Sequence, residues 1–164
     1  AGEQCLEMIQ KVQELLDQGG RLEESVSEEI ANHRQTKGKY IPGFGHRFHK
    51  PEDPRAPRLM KLVSDAEGDK IVNGNFIRIG LEIQRQLSLG KSTGIAMNID
   101  GATAVIFGEL GFAPPLARGL FCLSRSVGIL AHAWEQKNQG GRNKGPTPPE
   151  FLWNYSGKNP LEEG

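Results

Sequence analysis

Leu6, Ile9, Val12, Leu15 and Leu16 recur at the three-to-four-residue spacing of a helix. That period, with almost no two-residue alternation anywhere, points the chain to an all-α fold. Gly19-Gly20 stop the first run, which predicts a helix over residues 3–17. Ser25 followed by Glu28 has the spacing of a capping box and predicts a short helix to about Gln35, closed by Gly38. Leu59, Leu62, Val63 and Ala66 line one face of the next, with Pro57 tolerated in its first turn. Phe76, Ile79, Ile83 and Leu87 mark another, ended by Gly90. From Gly101 to Leu110 the residues are small and apolar on all sides, as expected of a helix buried within the protein. Pro114-Pro115 open a long last helix, with Leu116, Leu120, Leu123, Val127, Leu130 and Trp134 expected inward. Past Gln136, "GGRNKGPTPPEF" reads as a tail draped over a surface.

Composition narrows the class of protein. A length of 164 residues suffices for one domain with a real core, or for one domain with a docked tail. Twenty Lys+Arg balance twenty Asp+Glu, so nothing drives broad phosphate neutralisation, and nucleic acid is not an expected partner. Local anion pockets are compatible with that balance. Cys5 and Cys122 stand far apart with no CxxC spacing, which suits a reducing cytosol. The longest apolar runs break well short of a membrane span. A soluble cytoplasmic protein with no membrane partner is expected.

The stretch "YIPGFGHRFHKPEDPRAPRLM", residues 40–60, holds more chemistry than a connecting loop needs. The glycines beside Phe44 let the backbone turn sharply and aim His46 into a cleft, although a turn histidine without a role is the plainer reading. Arg55 stands just before a helix start, where a guanidinium can grip a carboxylate or phosphate, or can be an ordinary surface arginine. Asp100 is read as a helix N-cap worth about 1 kcal/mol, or as a base set against an apolar segment. Arg125 falls inside the last helix among Leu123, Ser124, Val127 and Gly128; buried there, it would need an anionic partner from elsewhere. One imidazole, one carboxylate and two arginines suit carbon–carbon bond chemistry on a dicarboxylate. His46 and His49 lack further ligands at metal spacing, so no metal is expected. "GFGHRF" lacks the ending of a nucleotide loop.

These segments carry a family resemblance. "PGFGHRFHKPEDPRA" is similar to the citrate synthase signature, in which a Gly-aromatic-Gly-His loop leads to Asp-Pro-Arg. "MNIDGATAVIFGELGF" resembles the family's Asn-x-Asp segment opening a buried helix, and "LFCLSRSVGILAHAWEQ" resembles its late Ser-Arg helix. "YIPGFGHR" is also similar to the citryl-CoA lyase module of ATP-citrate lyase. The resemblance implies that His46 polarises the oxaloacetate carbonyl and that Asp100 takes a proton from the acetyl-CoA methyl or returns it in cleavage. Arg55 and Arg125 would bind carboxylates. Ile41, Pro42, Gly43, Phe44 and Gly45 would lie along coenzyme A, with Lys50 at a phosphate. It further implies an all-α homodimer that binds no cofactor covalently and uses a coenzyme A thioester as substrate. Residues 1–113 would form the small domain, 114–137 a large-domain helix, and 138–164 the tail.

The chain departs from the family pattern at both ends. It opens "AGEQCLEMI" where the family carries a His-Gly-Gly-Ala-x-Glu stretch, so it is expected to start just past that stretch's histidine. His33 and His49 lie outside the motif and do not replace it. The family's tail Arg-Pro, whose arginine reaches the partner subunit, is matched here by Gly145-Pro146, leaving Arg142 or Lys144 for that charge. Little turnover is expected of residues 1–164 alone. The alternative is a non-catalytic coenzyme A-binding or dimerisation module, or a plain helical structural protein.

Overall fold

Cys5, Leu6, Ile9 and Val12 are wholly buried, each large side chain contributing about 2 kcal/mol by leaving water. They lie on α1 (Gly2–Asp17), the first of six helices in the computed structural model, which describes residues 1–49 and 51–140. The others are α2 (Leu22–Thr36), α3 (Arg55–Gly68), α4 (Asn75–Ser88), α5 (Ile99–Glu109) and α6 (Pro114–Asn138). The chain is all-α among the described residues. Its only extended pairing there is a single antiparallel bridge of Phe44 with Met97.

α5 is the axis of the arrangement. It packs against α1, α3 and α4, and Ala102, Ala104 and Val105 have no exposed surface. Its uniformly small, apolar sequence fits that position, because neighbours cover it on several sides. α1 and α2 pack together, and α4 lies against both. His33 on α2 is buried, and its Nε2–H donates to the Tyr40 carbonyl at 3.1 Å, tying the helix to the loop that follows.

The chain forms two units, Ala1–Arg125 and Ser126–Gly164, and α6 runs across the boundary. The first holds α1 to α5 and the start of α6, where Ala117 is buried and Arg118 reaches Glu3 at 3.3 Å. In the second, the described residues are the rest of α6 and its end; Val127, Leu130 and Trp134 are exposed there. No helix among the described residues is long and apolar enough to cross a membrane.

Three local expectations are corrected. α2 begins at Leu22, a turn before the expected capping box, and Ser25 is buried inside it. The stripe of Leu22, Val26 and Ile30 sets that start, with no side-chain cap. On α3 the buried face is Ala56, Met60 and Val63, while Leu62 is 56% exposed. On α6, Leu116, Leu123, Val127, Leu130 and Trp134 are exposed rather than inward. A helical period reports that a face is apolar; it does not supply the surface that covers it.

Gly74 is the N-cap of α4 and brings no side-chain cap of its own. The carboxylate of Glu109, at the end of α5, accepts from the amides of Gly74 (3.0 Å), Phe76 (2.8 Å) and Ile77 (3.1 Å). One anion thereby satisfies orphan donors and opposes the helix dipole. Glu109→Ala should cost about 2 kcal/mol, and Glu109→Gln less, because the amide oxygen still accepts. Urea denaturation checks this, and an unchanged midpoint for Glu109→Ala would contradict it.

Candidate functional site

The loop after α2 is laid against the entrance of α5 by backbone bonds. Gly45 N–H donates to Ala96 O at 2.7 Å, and Asn98 N–H to Gly43 O at 3.0 Å. The Asn98 side chain adds a bond from Nδ2 to Gly45 O at 2.7 Å. Gly43 has φ +86°, and a Cβ on it would run into Cys5 Sγ and the Gly101 Cα. A Cβ on Gly101 would in turn meet the Gly43 carbonyl. Only residues without side chains allow this approach.

Asn98, not Asp100, caps α5. Its Oδ1 accepts from Asp100 N (2.9 Å) and Gly101 N (3.2 Å). That corrects the N-cap reading of Asp100: the helix starts two residues earlier, so Asp100 already lies in its first turn. Its carboxylate is therefore not used as the cap. Asp100 is half-buried, and its charge bears on both Arg55 and Cys5. Burial pushes the Cys5 thiol up to about 12, with Asp100 adding to the effect, so Cys5 acts as an inert packing group.

His46 is half-buried, and its Nδ1 accepts from the amides of Phe48 and His49, both at 3.0 Å. Nδ1 thus presents its lone pair to the backbone, and in the neutral ring Nε2 carries the hydrogen. The His49 ring lies 4.4 Å from the His46 ring, centroid to centroid. Both line a cavity of about 200 Å³, together with Gly45, Glu52, Asp53 and Met97.

Asp53 is the least exposed charged group at the site, at 1%. Oδ1 accepts from Arg55 Nε at 2.9 Å and Arg55 N at 3.2 Å; Oδ2 accepts from Arg55 Nη2 at 2.8 Å and Ile99 N at 3.1 Å. The Arg55 side-chain bonds hold the carboxyl well below the usual carboxylate range; burial opposes this, and the two backbone donors reinforce it. Arg55 is raised in return, first by its bonds to Asp53, with the charges of Asp53 and Asp100 adding.

A larger cleft of about 520 Å³ adjoins this cavity, and Gly45, His46 and Ile95 line both. Arg34, Lys39, Arg47 and Lys91 line it, beside the apolar Ile41 and Phe44, and among the described residues no acidic one does. A chain of zero formal net charge thus gathers cations on one concave surface.

The fold brings His46, Arg55 and Asp100 around one loop-to-helix junction. Arg125 lines neither of the two cavities. Arg125 is exposed on α6, with its guanidinium 4.8 Å from the Phe121 ring centroid, which corrects the expectation of a buried arginine. Stacking on its own helix satisfies it without a buried anion. Of the residues expected along coenzyme A, Ile41, Phe44 and Gly45 line the larger cleft, whereas Gly43 is packed against Cys5 and Gly101. Lys50, Arg142 and Lys144 lie outside the described residues. Sequence reasoning missed Asp53, Asn98 and the cleft cations. The Asp-Pro-Arg triplet was a signal for Asp53, since a carboxylate two residues before an arginine can fold back on it. The four cations come from separate segments and had no local signal.

Comparison with known proteins gives consistent matches. The family model described as "Citrate synthase, C-terminal domain" matches residues 1–146. The citrate synthase of Acidithiobacillus ferridurans is 31% identical over 150 residues, which are 90% of this chain and 36% of that protein. Among solved structures, citryl-CoA lyase from Hydrogenobacter thermophilus is 29% identical with a TM-score of 0.67, over 97% of this chain and 57% of that one. Citrate synthase from Thermotoga maritima MSB8 is also 29% identical, with a TM-score of 0.61, over 96% of this chain and 42% of that one. The chain thus spans about a third of the length of the Acidithiobacillus relative.

The tautomer of His46 is directly measurable. Proton–nitrogen correlation NMR of the histidine rings should give the Nε2–H tautomer for the neutral His46 ring. An Nδ1–H form would contradict the two backbone bonds to that atom.

Proposed function

We propose that the chain, which belongs to the citrate synthase family, works on a coenzyme A thioester together with a small dicarboxylate. The observation that carries this reading is the cation-lined cleft sharing its Gly45–His46 wall with the cavity that Asp53 also lines. Phosphate groups suit the cations of the cleft, and the apolar Ile41 and Phe44 suit the rest of a thioester's long arm. Its reactive end would then reach His46.

In condensation, the Asp100 carboxylate takes a proton from the acetyl methyl group. The resulting enolate carbon forms a bond to the carbonyl carbon of oxaloacetate. The carbonyl oxygen, polarised by His46 Nε2–H, takes up that Nε2 proton as the bond forms. The product is citryl-CoA, whose thioester water then hydrolyses to citrate and coenzyme A. Run backwards, the carbon–carbon step is citryl-CoA cleavage. Arg55 and Arg125 hold carboxylates in this scheme, and the Gly43 and Pro42 backbone supports the thioester-binding loop. No covalently bound cofactor takes part. The same reading treats residues 1–113 as the small domain, 114–137 as a large-domain helix and 138–164 as a tail. It also places the protein in the cytoplasm as a homodimer, which the exposed Val127, Leu130 and Trp134 support. The alternative reading is a coenzyme A-binding or dimerisation module without turnover.

Calorimetry of the chain with coenzyme A tests the proposal. Arg47→Ala and Lys91→Ala should each weaken binding about tenfold, the loss expected when one charge-assisted phosphate contact goes. No measurable binding, or binding indifferent to both changes, would sink it. Mixing the chain with acetyl-CoA and oxaloacetate then separates the two readings: binding with citrate release supports the enzyme, and binding without it the module.

A further inference from the structure

Asp53 is buried, and its carboxylate is bonded at three separate places. Through Arg55 N it closes the turn that starts α3, through Arg55 Nε and Nη2 it grips one edge of a guanidinium, and through Ile99 N it reaches the start of α5. Pro54, with φ −63°, sets the turn between the two charged residues and brings no N–H of its own to satisfy. Ile99 N is among the amides at the helix start that have no partner within the helix.

We propose that Asp53 is a positioning residue, which selects the edge of Arg55 offered to a ligand and holds in place the first turn of α5 that carries Asp100. A guanidinium has a side edge, formed by Nε and one terminal nitrogen, and an end edge formed by the two terminal nitrogens. Asp53 occupies the side edge, since Nε and Nη2 both donate to it. The end edge, Nη1 with the remaining hydrogen of Nη2, is left for a second carboxylate to be gripped bidentately. Arg55 remains 43% exposed, so that edge is reachable. On the α5 side, Asp53 takes Ile99 N while Asn98 takes Asp100 N. The backbone on both sides of the Ile99–Asp100 link is thereby fixed, and the direction of the Asp100 side chain with it. A neutral side chain of the same shape can fill the volume and still accept from Ile99 N. It cannot hold the guanidinium by charge, so the two functions can be separated by substitution.

That Arg55 receives the carboxylate of a dicarboxylate rests on the function proposed above; that Asp53 orients Arg55 does not. The experiment follows the Arg55 Nε–H signal by NMR in the full chain, its assignment checked with Arg55→Lys, and then titrates oxaloacetate. In the unsubstituted chain, Arg55 Nε–H should exchange with water about tenfold more slowly than in free arginine, as expected for a charge-assisted bond to a buried carboxylate. Asp53→Asn should restore fast exchange and weaken oxaloacetate binding about tenfold, while the Val105 amide in the middle of α5 stays unmoved. Free-arginine exchange in the unsubstituted chain overturns the proposal, and that arm needs no variant to fold. A lowered melting temperature in Asp53→Asn with Arg55 exchange and oxaloacetate affinity both intact also overturns it, leaving Asp53 a structural group. If the unsubstituted chain binds no oxaloacetate while its Arg55 signal is slow and Asp53-dependent, the positioning role stands and the dicarboxylate reading falls.

Discussion

Gly43 and Gly101 meet backbone to backbone, with Cys5 closing the third side, and the rest of the site follows from that contact. Because neither carries a Cβ, the loop descends onto the first turn of α5 closely enough for Asn98 N–H to reach Gly43 O. That bond and the one from Gly45 to Ala96 make a short ladder between two segments otherwise without regular structure. His46 is the next residue along, so its ring direction is set by a backbone already pinned at Gly45. Buried Cys5 fits here as a small hydrophobe, its proton retained, against which two chains can close.

Charge is arranged in layers around this junction. Innermost is the Asp53–Arg55 pair, which together carries no net charge and stays hydrogen-bonded on several sides. A buried carboxylate such as Asp53 needs such bonds to offset its desolvation. Next to it stands Asp100, whose charge reaches Arg55 without a direct bond to it being needed. Outermost are Arg34, Lys39, Arg47 and Lys91 on the larger cleft. Exposed cations of this kind contribute little to stability, so their convergence on one concavity is not explained by the fold.

The helices were largely legible in the residues because each must bury a stripe. α1, α4 and α5 fall within a residue or two of where their periodicity puts them. Capping was legible only in part. Ser25 and Glu28 have the right spacing, but the hydrophobic stripe begins at Leu22 and outweighs a single hydrogen bond. Likewise the Asn-x-Asp segment offers two good cap residues, and only the backbone path shows that Asn98 takes that place. Glu109 capping α4 from the far end of another helix has no local sequence signature. The expected interior face of α6 was an inference from period to burial, and Arg125 went astray with it. At the site, His46, Arg55 and Asp100 were recognisable as oddly placed polar residues. Asp53 was hidden beside Arg55, since an acid next to a base in sequence reads as surface charge until its burial is seen.

The central claim is that the loop and the start of α5 form one cooperative body through the glycine contact. Native-state hydrogen exchange of the Gly45 and Asn98 amides tests it most directly. The account predicts that both are protected and open together with the Val105 amide in the middle of α5. Exchange of Gly45 and Asn98 at the rate of an unstructured peptide, while Val105 stays protected, would contradict it.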